Sequence, residues 1–186
     1  INGTVIPGVA VAKNENDVAT KYDNKTLEEL LAEMDSLIGL QNVKKHIRDQ
    51  ITLINFNKLR KEQGVEDSSG FSLHSVAIGN PGTGKTTVMR LLGKIYHKLG
   101  LLSKGHVLEV DRVDLVGEYI GQTAPKVQKQ IDEARGGILF IDEAYSLARS
   151  GEDSRDYGKE VIEILIKEMS DGPGDIAIFV AGYPKE

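Results

Sequence analysis

The 186-residue sequence contains no cysteine, which excludes disulfides, thiolate metal sites and thiol nucleophiles together. It also lacks any apolar run approaching the roughly 20 residues that a membrane-spanning helix needs, and its start shows no basic segment followed by an apolar one of signal-peptide type. A surplus of positive charge is missing as well. The formal charge of -5 gives no bulk pull toward nucleic acid or anionic lipid, and no basic, aromatic-rich stretch offers single strands a stacking surface. Four scattered histidines, His46, His74, His97 and His106, have no metal-ligand spacing and read as structural or surface residues. There is no internal repeat and no low-complexity tract. Together these absences set cytoplasmic localisation as the expectation, with neither membrane nor nucleic acid as partner. Ile1 is not an initiator, so the chain reads as a piece of a longer one, and a leader upstream of it stays an open question.

What is present is the ordinary mixture of a soluble domain. Apolar residues make up 40% and charged residues 27%, and the length suffices for one domain with a real core. Residues 1–24 mix Gly, Pro, Asn and Lys without a sustained period and read as an arm or linker. Thr26 and Glu29 have capping-box spacing, and Leu27, Leu30, Leu31 and Met34 follow at helical intervals. After Ile38-Gly39-Leu40, the residues Val43, Ile47, Ile51 and Ile54 mark a second amphipathic helix, with Lys44, Lys45, Arg48 and Lys58 expected on its solvated side. Residues 64–70 read as a loop leading into a strand over 71–78 that ends at Gly79.

From there strand-like and helix-like segments alternate: helix 85–99, strand 106–110, helix 124–135 with Thr123 as its cap, strand 138–142, helix 158–171 and strand 176–181. The alternation predicts an α/β fold with a mostly parallel sheet covered by helices on both faces, and the apolar strand Ile138-Leu139-Phe140-Ile141 predicts burial from both sides.

Gly79-Asn80-Pro81-Gly82-Thr83-Gly84-Lys85-Thr86 matches the P-loop pattern in full and lies between a predicted strand and a predicted helix. Glycines allow the tight turn that aims successive backbone N–H groups at phosphate, and the helix presents its positive end to the same anion. Lys85 has the reach for the outer phosphates, and the Thr86 hydroxyl suits Mg²⁺. Further on, Asp142 and Glu143 end the buried strand. In open α/β sheets ligands gather at the carboxyl ends of strands, so the strands ending at Ile78 and Ile141 are expected side by side beneath one nucleotide. Asp142 then holds Mg²⁺ through water, and Glu143 orients and polarises the attacking water. The pair favours hydrolysis over transfer to a second substrate, since water needs an activating base. A third segment, 114–123, holds Tyr119-Ile120-Gly121 in a loop; on chemistry alone, packing against the core explains it as well as function does.

These segments, with Gly136 to Leu147 and Ala181-Gly182-Tyr183, resemble the AAA+ ATPases, and within them the group of CbbX and stage V sporulation protein K. The resemblance runs from about Thr26 to the last residue. It implies a three-layer P-loop NTPase fold for residues 25–186, truncated before the fifth core strand and with the C-terminal lid absent. It implies ATP or ADP with Mg²⁺ as ligands, Thr87 beside the P-loop residues in the nucleotide site, and backbone near Ile38 and Gly39 against adenine. Tyr183 takes the position of the polar residue that senses the γ-phosphate, where the family usually has Asn or Thr. Tyr119, Ile120 and Gly121 fall in the pore loop that grips a polypeptide in the channel of a ring, which implies self-association as a hexamer and a client protein. The family's trans-acting arginine lies beyond this chain, so the fragment is expected to bind nucleotide weakly and hydrolyse it poorly; Arg149 and Arg155 follow the catalytic strand without a spacing that promotes them. The main rival is a nucleotide-gated assembly module without significant hydrolysis; a nucleic-acid motor and a small-molecule kinase come after it.

Overall fold

The computed structural model describes residues 25–39, 41–64, 72–79, 84–148 and 157–183. The expected arm 1–24, Leu40, most of the loop 64–70, Phe71, Asn80 to Thr83, Arg149, Arg155 and the Lys58 side chain lie outside the described residues. Four strands, β1 (Ser75–Ile78), β2 (Val107–Val110), β3 (Ile138–Ile141) and β4 (Ala177–Gly182), form one all-parallel sheet in the order β1-β4-β3-β2. The helices are α1 (Leu27–Ser36), α2 (Gln41–Glu62), α3 (Lys85–Lys98), α4 (Arg112–Leu115), α5 (Thr123–Ala134), α6 (Tyr145–Ala148) and α7 (Tyr157–Asp171).

Side-chain alternation along β3 and β4 divides the core into two layers, one on each face of the sheet. Ile138, Phe140, Ala177, Phe179 and Ala181 pack with Leu30, Ile47, Val88, Leu92 and Ile95 of α1, α2 and α3. Leu139, Ile141 and Ile178 pack with Leu115, Val127, Ile131, Leu147, Val161 and Leu165 of α4 to α7. All four β3 residues are fully buried, as a strand covered on both faces must be. The expected three-layer α/β architecture is therefore present.

Several boundaries and contacts differ from the sequence reading. β1 and β2 begin later than expected, at Ser75 and Val107, where their registers with β4 and β3 start. β1 and β3 are not neighbours: β4 lies between them and pairs with both. Two short helices, α4 and α6, had no sequence signal long enough to show a period, although Asp111 caps α4 through a reciprocal contact with Asp114. Thr123 does not cap α5; it is the first helical residue, and its hydroxyl accepts the Gly117 N–H at 3.1 Å.

The α1–α2 corner shows why periodicity alone misplaced Lys44. The capping box forms as expected: the Thr26 hydroxyl accepts from the Glu29 N–H at 3.2 Å, and the Thr26 N–H donates to the Glu29 carboxylate at 2.7 Å. At the other end of α1, Lys44 is buried rather than solvated, and its ammonium donates to the Asp35 and Leu37 carbonyls at 2.9 and 2.5 Å. These carbonyls are orphans of the helix terminus, and a cation there also suits the helix dipole. Arg48, one turn on, binds the Asp35 carboxylate.

His74, just ahead of β1, accepts the Ile178 N–H on Nδ1 at 3.0 Å, so a side chain satisfies a donor of β4 where the edge strand has not yet begun. Burial lowers the His74 pKa from its usual 6.5, against the opposing pull of Glu168. With the folded-state value below the unfolded one, the unfolded chain takes up the proton first on acidification. The stabilisation is complete above pH 6.5 and drains away as the pH falls below it. Denaturant midpoints are therefore expected to fall below pH 6.5 in the wild type, and His74→Leu should lack that component while losing about 1–3 kcal/mol at neutral pH through the orphaned Ile178 donor. Parallel pH profiles for the two proteins would contradict this.

Candidate functional site

The carboxyl ends of β1, β4 and β3 carry the residues singled out from the sequence. Gly84 is the N-cap of α3 at φ 81°, a left-handed conformation that glycine adopts without strain, and it turns the chain so that α3 starts toward the strand ends. Lys85, the first residue of α3, folds back over the end of β1: its ammonium donates to the Gly79 carbonyl at 3.2 Å. The same ammonium lies 3.9 Å from the Asp142 carboxylate and 5.2 Å from the centre of the Tyr183 ring. Lys85 and Asp142, one at either side of the β4 tip, thus face a shared space.

β4 supplies the middle of the site. The Tyr183 hydroxyl donates to the Glu143 carboxylate at 2.9 Å, and its ring lies 5.3 Å from that of Tyr145. This donation is the main reason that the phenol is pushed up to about 12, so it keeps its proton at neutral pH and remains a donor. Glu143 takes φ 50°, a left-handed conformation costly for a non-glycine residue, of order 1–3 kcal/mol. The chain makes this turn while the Glu143 N–H donates to the Asp142 carboxylate at 2.9 Å and the Ala144 N–H to the Ala181 carbonyl at 2.9 Å. The strained turn directs the two adjacent carboxylates differently, Asp142 toward Lys85 and Glu143 toward Tyr183.

Thr86 follows in the first turn of α3, and its hydroxyl donates to the Glu109 carboxylate at 3.0 Å. Glu109 belongs to β2 and was not among the sequence candidates. Its one signal was a charge within the otherwise apolar run Val107-Leu108-Glu109-Val110, ordinary for an edge strand. The donor set of Thr86 hydroxyl and Asp142 carboxylate is hard oxygen beside an ammonium, which fits a magnesium ion shared with phosphates. Ile38 is wholly exposed, and Gly39 adopts φ 75° just before α2. A cavity of about 430 Å³ opens between α2 and β1, lined by Val43, His46, Ile47, Ile78 and Met89 with Lys85 at its wall, within the size range of small-molecule sites. Thr87 is exposed on α3.

Tyr119 and Ile120 stand 68% and 76% exposed, so they are not the core contacts that the sequence left open. Their loop is anchored at its base. Besides the Gly117–Thr123 bond, Lys126 donates to the Val113 and Val116 carbonyls, and Arg112 donates to the Ser146 carbonyl next to the turn that follows β3. At Gly158 a Cβ would meet the Leu147 carbonyl oxygen at 2.0 Å, so glycine there lets α7 close on the same segment. Among the described residues no cluster of three or more His, Asp or Glu could hold a metal by itself, and no helix is long and apolar enough to cross a membrane.

A parallel sheet with a glycine-led lysine at the end of one strand and two carboxylates at the end of another defines a P-loop nucleotide-binding fold. The profile of the "ATPase family associated with various cellular activities (AAA)" matches residues 76–184, and the chain belongs to this family. It is 49% identical over 160 residues to stage V sporulation protein K of Bacillus subtilis, covering 86% of this chain and 49% of that protein. Over 178 residues it is 46% identical to the chromosomal protein CbxX of Cupriavidus necator, covering 95% of this chain and 56% of that one. With the chloroplastic ribulose bisphosphate carboxylase/oxygenase activase of Cyanidioschyzon merolae it shares 44% identity over 176 residues, 94% of this chain and 59% of the relative. The chain therefore spans about half the length of the relatives it matches.

Thr123→Val removes the acceptor of a buried amide while keeping the shape of the side chain. Stability should fall by about 1–3 kcal/mol, and amide exchange at Gly117 should accelerate more than exchange in β3. Unchanged exchange at Gly117 would show that the loop base is held elsewhere.

Proposed function

We propose that this chain is the α/β nucleotide-binding portion, residues 25–186, of an ATP-hydrolysing machine that remodels a protein client. The observation that supports this most is the convergence of Lys85, Asp142, Glu143 and Tyr183 on one space at the strand ends. In this reading the P-loop residues Asn80, Pro81, Gly82, Thr83 and Gly84 cradle the phosphates, and Lys85 releases the Gly79 carbonyl to bind the outer ones. Magnesium, when bound, neutralises charge on the terminal phosphates. Thr86 and Asp142 supply oxygens to hold it, Asp142 through water. Glu143 orients the attacking water and accepts its proton, and Tyr183 offers its hydroxyl to the γ-phosphate. Adenine lies against Ile38 and Gly39, which precede the helix whose Val43 and His46 line the cavity.

The family resemblance supports the rest of the proposal. The full-length protein forms a ring, as a hexamer, in the cytoplasm, and the exposed Tyr119, Ile120 and Gly121 press on a client polypeptide, since an aromatic ring contacts any backbone without reading its sequence. In P-loop systems an arginine supplied in trans raises the rate about 10³- to 10⁵-fold, so the chain alone turns over slowly. One observation favours the second reading, a nucleotide-gated module without turnover: the Tyr183 hydroxyl occupies Glu143, which must be free to serve water. Phosphate release by the full-length protein decides between them.

Lys85→Ala should weaken nucleotide binding at least about 100-fold, and Glu143→Gln should keep binding while lowering turnover by about 10²- to 10⁴-fold; equal phosphate release by the Glu143 variant would take that residue out of the mechanism. Tyr119→Ala should preserve basal hydrolysis and stop work on the client, whereas loss of both would indicate a role in packing.

A further inference from the structure

Glu109 has no part in the reaction as set out above, yet it contacts one of its residues. β2 aligns with β3 so that Glu109 pairs with Phe140 and Val110 with Ile141, which places Glu109 one residue short of the strand tip. A glutamate on an edge strand ordinarily extends into solvent. This one reaches across to the first turn of α3 and accepts the Thr86 hydroxyl proton at 3.0 Å, a contact between residues 23 apart in the chain.

We propose that Glu109 is a positioning residue for the metal of this site, acting through Thr86. This rests on the reading of the site as one for a nucleotide with magnesium. A threonine hydroxyl has one proton and two lone pairs, and it can serve a cation only if the proton points away. Left alone, the hydroxyl rotates freely and its proton can face the cation. A carboxylate acceptor on the far side fixes the proton, turns the lone pairs outward and makes the oxygen a better donor. Glu109 also adds negative charge beside Thr86, so divalent-cation affinity rises with it.

A competing role makes an opposite prediction. If Glu109 merely answers the positive end of α3, its loss should weaken the helix start and with it nucleotide binding in general. If it serves the metal, its charge opposes phosphate when no cation is present and helps only when one is. The two are separated by comparing metal-free with metal-dependent binding.

The test uses the full-length protein, a fluorescent non-hydrolysable ATP analogue, and Glu109→Gln and Glu109→Asp beside the wild type. Analogue affinity is measured in EDTA, and Mg²⁺ is then titrated at fixed analogue. In EDTA the Gln variant should bind as tightly as wild type or more tightly, while its Mg²⁺ midpoint should rise about 10-fold, in line with the usual cost of losing a group that orients a metal ligand. The Asp variant, which restores the charge, should recover part of the shift. An unchanged Mg²⁺ midpoint in the Gln variant would overturn the role of Glu109, and so would an equal loss of binding in EDTA and in Mg²⁺. A wild type that binds no analogue under either condition would instead overturn the underlying reading of the site.

Discussion

An ammonium and a carboxylate brought to 3.9 Å across the tip of a central strand are the constraint on which the rest of this molecule depends. Lys85 follows β1 and Asp142 follows β3, and the two strands never pair. Each pairs with β4, so the strands that lead to the two residues stand roughly 10 Å apart between their axes. Lys85 spans that gap only because α3 begins at a left-handed Gly84 and sends its first side chain back over Gly79. The space between the charges is floored by Tyr183, the residue that follows β4, which meets Lys85 with its ring and Glu143 with its hydroxyl.

The sheet below the site and the loop beside it are held by different contacts. β3 is sealed between two apolar layers, so the carboxylates stand on the least deformable part of the sheet. The turn immediately after it carries the strained Glu143, and Arg112 and Gly158 tie the following segment to α4 and α7. The loop bearing Tyr119 grows from the same α4 and is held by Thr123 and Lys126. A change in the turn after β3 therefore has a short bonded route to the exposed aromatic residue, through Ser146, Arg112 and the end of α4.

Much of this was legible in the sequence because periodic burial and backbone chemistry are local. The apolar run of β3, the helical segments of α3, α5 and α7, the Thr26–Glu29 box and the glycine-lysine turn each declare themselves within a few residues. What escaped is set by contacts between distant segments. Lys44 reads as a surface cation on any helical projection, and only the carbonyls at the end of α1 explain its burial. Thr123 stands where a cap belongs but serves Gly117, because the loop returns to it. Glu109 resembles a routine edge-strand charge until Thr86 is placed beside it. The order of the strands, with β4 between β1 and β3, is likewise a property of the whole sheet that no single segment encodes.

The most direct test of the account is a crystal structure of the full-length protein with magnesium and a non-hydrolysable ATP analogue. Terminal phosphates are expected between Lys85 and Asp142, with the metal on the Thr86 side and the Tyr183 hydroxyl turned from Glu143 toward the γ-phosphate. A nucleotide bound elsewhere, with Lys85 still on Gly79 and Asp142, would contradict it.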